Sequence, residues 1–187
     1  MMKKTTIASA MMMFMFSAAV FAADDREAAA GAPTDQGHGV IKFVGAIIDA
    51  PCSIAPESVD QTIQMGQVAN SLLESQGETP LRPFEIHLEA CSLATAKTAS
   101  ITFNGVADDS EKKHLAINGS AKGAAVAIVN QLDGSEVVLG TPTKGAALLV
   151  GDNHLKFGAK MVSNIKSGEK ATPGEFTATS DFIMTYQ

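Results

Sequence analysis

Phe176-Thr177-Ala178-Thr179-Ser180-Asp181-Phe182-Ile183-Met184-Thr185-Tyr186 alternates with a period of two. Ala178, Ser180, Phe182, Met184 and Tyr186 fall on one face, and Thr177, Thr179, Asp181, Ile183 and Thr185 on the other, as in a β-strand. A long alternating strand in this position is either a central strand that closes a sheet or an edge awaiting a partner. An exposed edge of this length is an aggregation hazard that proteins usually cover.

Working back from this strand, short β-rich runs recur at Gln61–Met65, Phe84–Leu88, Ser100–Phe103, Ala125–Val129, Val137–Leu139, Ala146–Val150 and His154–Val162. Between them lie the turn dipeptides Asn104-Gly105, Asn118-Gly119, Asp133-Gly134, Gly151-Asp152 and Ser167-Gly168. The stretch Val68–Ser75 reads as a short helix or a loop. Val40-Ile41-Lys42-Phe43-Val44-Gly45-Ala46-Ile47-Ile48-Asp49, stopped by Ala50-Pro51, is a further predicted strand. Many short strands separated by turn signals predict an all-β sandwich, and the length allows one of immunoglobulin-like kind. The 187 residues suffice for one domain with a substantial core.

The start of the chain is a separate matter. Met1-Met2-Lys3-Lys4 is a short positive segment, Ile7 to Phe21 is an apolar run broken only by Ser9 and Ser17, and Ala22-Ala23 precede Asp24-Asp25-Arg26-Glu27. These are the three parts of a secretory signal peptide, expected over residues 1–22, with cleavage after Ala22 and Ala23 as second choice. The run is shorter than the ~20 apolar residues a transmembrane helix needs, so no direct membrane insertion is expected. Loss of Lys3 and Lys4 takes the net charge from −6 to −8. An acidic chain with one Tyr, no Trp and no basic run is a poor nucleic-acid binder. Residues 23–39 form an arm without a large apolar side chain, and the folded domain is expected over residues 40–187.

Cys52 and Cys91 are the only cysteines. In an exported protein the pair reads as one disulfide, since the periplasm and exterior are oxidising. Their spacing excludes a CxxC redox pair.

Catalytic signals are weak. Ser110-Glu111-Lys112-Lys113 and Ser163-Asn164-Ile165-Lys166 fit S-x-x-K, but the companion elements of that chemistry are absent. His38, His87, His114 and His154 are scattered, with no HExxH, and Asp108-Asp109-Ser110-Glu111 lacks the glycine and spacing of a calcium loop. There is no G-x-S-x-G, P-loop or G-x-G-x-x-G. No enzyme activity, cofactor or metal is expected.

Three blocks together resemble a known family. Gly39-Val40-Ile41-Lys42-Phe43-Val44-Gly45-Ala46-Ile47-Ile48-Asp49-Ala50-Pro51-Cys52-Ser53-Ile54 resembles the first strand and first cysteine of chaperone–usher pilins. Ser58 to Val68 is similar to the next block, and Phe84-Glu85-Ile86-His87-Leu88-Glu89-Ala90-Cys91 to the strand bearing the second cysteine. The terminus fits too, with penultimate Tyr186 and Gly174 fourteenth from the end. The likeness is greatest to the major rod subunits of P and type 1 pili and covers roughly residues 32 to 187.

The resemblance implies an incomplete immunoglobulin-like sandwich, completed by a donor strand from a neighbouring subunit. The donor would be the arm, with Ala32, Pro33, Thr34, Gln36, Gly37, His38, Gly39, Val40 and Ile41. The strand with Gly174, Phe176, Ala178, Ser180, Phe182, Met184 and Tyr186 would border the groove and meet the chaperone. The implied partners are identical subunits, other fimbrial subunits, a periplasmic chaperone and an outer-membrane usher. The implied destination is the surface fimbria of a Gram-negative bacterium, reached through the periplasm. A minor adaptor or tip subunit, and a secreted monomeric immunoglobulin-like binding module, are the competing readings.

Overall fold

A computed structural model describes residues 37–108, 112–166 and 169–187. The expected signal peptide and arm residues 23–36 lie outside the described residues. By its contacts the chain divides into two units, residues 1–46 and Ile47–Gln187.

Within the first unit, residues 37–46 belong to no helix or strand. Val40, Ile41, Phe43 and Val44 are 93, 79, 88 and 82 % exposed. The strand expected over Val40–Asp49 is therefore absent. Strand propensity measures how well side chains suit a pleated, half-buried surface, and it is realised only where a neighbouring strand supplies that surface.

The second unit is all-β with two short helices. Its elements in order are β1 (Ser53–Ile54), α1 (Pro56–Val59), α2 (Asn70–Gln76), β2 (Arg82–Cys91), β3 (Thr98–Gly105), β4 (His114–Ala116), β5 (Asn118–Gly119), β6 (Ala124–Asn130), β7 (Ala146–Ala147), β8 (Gly151–Ser163), β9 (Phe176–Thr177) and β10 (Ser180–Tyr186). One sheet has the order β1-β2-β8-β6-β4, a second β10-β3-β7, and β5 pairs with β9. Every pairing is antiparallel.

The core lies between the two larger sheets. Ile86, Leu88, Leu155 and Phe157 come from one, and Ala99, Ile101 and Phe103 from the other. Phe103 packs edge-on to Phe157 with centroids 5.0 Å apart, and Phe84 stacks on Phe157 at 5.8 Å. The helix α2 was one of two alternatives for its stretch. It ends at Gly77, whose φ of +79° supplies the left-handed cap, and seats Leu73 against Ala124 and Met161.

Several sequence expectations change. Gln61–Met65 runs outside any ladder, although Gln61 Nε2 donates to the Glu85 carbonyl at 2.8 Å. Val137 and Leu139 are buried without forming a strand, because their amides reach different partners, the carbonyls of Ile128 and Lys112. Of Ala146–Val150 only Ala146–Ala147 pairs, and Asn104-Gly105 closes β3 instead of forming a turn. The terminal run divides into β9 and β10, with Ala178 and Thr179 between them.

The Cys52–Cys91 disulfide is formed, with Cα atoms 4.1 Å apart. A simple alternation would put Cys91 on the outer face of β2 with Glu85, His87 and Glu89. A bulge prevents this: Leu88 faces Asn153 and Cys91 faces Gly151, so β2 carries one extra residue, and Ala90 takes φ +52°. Cys91 thereby turns inward and is 3 % exposed, like Cys52.

Candidate functional site

β10 is an edge strand built like a central one. Its seven residues pair with β3 from Ser180↔Gly105 to Tyr186↔Ala99. The far edge of β3 is also occupied, by β7 and by the bonds from the Gly140 and Thr143 amides to the Phe103 and Ile101 carbonyls. Among the described residues, no strand pairs with the other edge of β10.

Its side chains carry the same imbalance. Phe182, Met184 and Tyr186 face the core as the alternation predicts and pack against it, yet each remains only half-buried. Their ladder partners Phe103, Ile101 and Ala99 are 3, 0 and 1 % exposed. The core thus stops short at β10, leaving a strip of apolar side chains beside unpaired backbone. Such an edge offers N–H and C=O groups for main-chain bonds to one further extended segment, and spaces between alternate side chains for that segment's own.

Tyr186 marks one end of the strip. Its hydroxyl is buried without a hydrogen-bond partner, and burial pushes the phenol pKa up. The end of the strand is pinned, since the Gln187 carbonyl accepts from the Lys97 and Thr98 amides at 2.6 and 2.8 Å. At the other end Ser180 Oγ donates to the Asn104 carbonyl at 2.7 Å.

The remaining sequence-predicted site residues divide. Phe176 sits on β9 and packs against the core from there, while Ala178 is exposed in the break before β10. Gly174 faces away from this strip: a Cβ there would meet Ser120 Oγ and lie 2.6 Å from the Ala121 amide nitrogen. Its role is a close backbone approach that lets the β9 segment lie against residues 118–121. Of the arm, Ala32, Pro33, Thr34 and Gln36 fall outside the described residues. Gly37, His38, Gly39, Val40 and Ile41 are exposed and outside any strand.

Phe43, Val44 and Ile47 read in the sequence as a strand of the chain's own domain, yet they stand exposed outside any strand. Ile47 is fully exposed, with the same parity as Ile41 and Phe43. In the sequence they lie in an apolar run, broken by Lys42 and Gly45 and stopped by Ala50-Pro51.

Among the described residues no helix is long and apolar enough to cross a membrane.

Comparison with known proteins agrees with this geometry. The family described as Fimbrial protein matches residues 41–187. The chain is 46 % identical to the Fimbria A protein of Serratia marcescens, over 82 % of this chain and 87 % of that one. It is 44 % identical to the major MR/P fimbria protein of Proteus mirabilis, over 82 % and 86 %. A chaperone–usher pilus structure that addresses rod uncoiling superposes with a TM-score of 0.75 at 32 % identity, covering 83 % of this chain and 100 % of that one. The P pilus rod subunit PapA superposes with a TM-score of 0.66 at 30 % identity, covering 74 % and 100 %. An all-β fold with a core that stops at β10, matched along its length by these relatives, places the chain in the fimbrial protein family as a structural pilus subunit.

Proposed function

We propose that the chain is a rod subunit that polymerises by donor-strand exchange. An extended N-terminal segment of one copy adds to β10 of the next and completes its second sheet. The observation that carries this is a pair of complementary deficits in one chain. β10 has a free edge and half-buried core residues, and residues 37–48 hold strand-forming apolar side chains that stand exposed. Ile41, Phe43 and Ile47 share one parity, with Gly45 between Phe43 and Ile47, so they present one apolar face of a strand. The donor segment is the arm from Ala32 to Ile41, continued through Phe43 and Ile47.

Before assembly a periplasmic chaperone covers the same edge, and an outer-membrane usher passes subunits to the cell surface. The domain limits follow: a signal peptide over residues 1–22, a donor segment, and a pilin domain that provides the groove. The subunit acts as a building block and not as a catalyst.

Charge placed on the donor face tests the reading. Phe43→Arg and Ile41→Arg should leave chaperone co-purification intact, because neither side chain is buried in its own subunit, and should abolish rods in electron micrographs. Rods of normal length from both variants would overturn the proposal.

A further inference from the structure

The outer face of β2, away from β10, carries a cluster that polymerisation does not use. Glu57 on α1 and His87 and Glu89 on β2 each bring a potential ligand atom within 4.8 Å of the other two. Glu57 Oε1 lies 3.2 Å from His87 Nδ1. His87 Nε2 is buried and has no hydrogen-bond partner. The backbone also fixes the arrangement, since the His87 amide donates to Ser58 Oγ at 2.9 Å and the Ala55 amide to the His87 carbonyl at 3.0 Å. α1 is therefore held at the level of His87.

The surroundings favour a cation. Facing His87 in register on β8 is His154, whose ring stacks on it at 4.3 Å and 6° and whose Nδ1 is 3.0 Å from Glu85 Oε1. Glu57, Glu85 and Glu89 thus meet on one patch, and Lys156, in register with Glu85, is the cation opposite them.

We infer that Glu57, His87 and Glu89 bind a divalent transition cation of the Zn²⁺ class. One imidazole nitrogen with two carboxylate oxygens suits borderline first-row metals, whereas Ca²⁺ and Mg²⁺ prefer oxygen alone. Ligand–metal distances near 2.0–2.2 Å place tetrahedral ligand atoms about 3.4 Å apart. Glu57 Oε1 and His87 Nδ1 already have close to that spacing at 3.2 Å, and the rest of the cluster, within 4.8 Å, must draw in. Glu57 is exposed and Glu89 half-buried, so both side chains have room to do so. Three protein ligands leave a further position for water or for a group from a neighbouring molecule. The metal would tie α1 to β2, the strand that also holds Cys91.

The test uses assembled rods, stripped with a chelator and titrated with ZnCl₂ by calorimetry, and with CoCl₂ by visible absorption. The expected result is saturable binding at one metal per subunit, with Co²⁺ bands of a nitrogen–oxygen site. His87→Asn should abolish it, and Glu57→Gln and Glu89→Gln should each weaken it about tenfold or more. Rods of all three variants should still form, which separates loss of the site from loss of the fold, and His114→Asn, on β4 at the other end of the sheet from β2, should bind as the parent does. Absence of saturable binding in the parent rods, or undiminished binding by His87→Asn rods, overturns the assignment.

Discussion

Phe182 and Phe103 are direct ladder partners with ring centroids 6.3 Å apart, yet Phe103 is 3 % exposed and Phe182 remains half-open to solvent. Two phenylalanines facing one core would ordinarily be covered alike. The difference arises because, among the described residues, β3 has a neighbour on each side and β10 on one. Phe182→Ala should destabilise the isolated domain by about 2 kcal/mol, below the 3–5 kcal/mol of a fully buried phenylalanine. Phe103→Ala should cost the full amount. In assembled rods the gap should close, since the donor strand would bury Phe182. Denaturant unfolding of subunit and rod forms measures both.

Tyr186 is the only tyrosine and the chain has no tryptophan, so absorbance near 295 nm reports on it alone. Burial raises its pKa above the ordinary value of 10.0. The folded state holds the proton more tightly than the unfolded state, so this contribution is present below about pH 10 and is lost as pH rises through the folded value. A spectrophotometric titration should show ionisation above pH 10 in the folded subunit, and higher still in rods. An unshifted titration in rods would mean that the strip stays open to water. Tyr186→Ala should also weaken co-purification with the chaperone.

The Cys52–Cys91 link closes a loop of sequence separation 39. Chain entropy puts its contribution at about 4 kcal/mol. Cys52→Ser with Cys91→Ser should lower the stability of the subunit by about that amount, read by urea unfolding. Peptide mapping under non-reducing conditions should recover the two cysteine peptides joined.

Gly174→Val should destabilise the subunit by about 1–3 kcal/mol, because the side chain would drive into Ser120 and the Ala121 backbone. The defect is one of folding. Surviving Gly174→Val subunits should bind the chaperone and add to rods normally, a distinction that thermal melts combined with electron microscopy resolve.

Much of this was legible in the sequence. The alternation of Phe182, Met184 and Tyr186 assigned their face correctly, and Phe84–Leu88, Ser100–Phe103, Ala125–Val129 and His154–Val162 all lie inside observed strands. Other features depend on tertiary circumstance. Val40–Asp49 has the composition of a strand, but composition does not say whose sheet it joins. Cys91 faces inward only through the bulge at Ala90, which breaks the period-two rule. Val137 and Leu139 read as a strand because they are apolar, and they are apolar because they fill the core. Glu57 and His87 are 30 residues apart, and only the seating of α1 on β2 brings them together.

The central claim is that the extended segment of one copy lies against β10 of another. A photoreactive benzoylphenylalanine in place of Phe43, irradiated in rods grown from mixed ¹⁴N and ¹⁵N subunits, tests it directly. Mass spectrometry should find the arm peptide joined to the peptide containing Phe182–Tyr186, with the two isotopes mixed across the link. Links confined to a single copy, or made to surfaces other than β10, would contradict it.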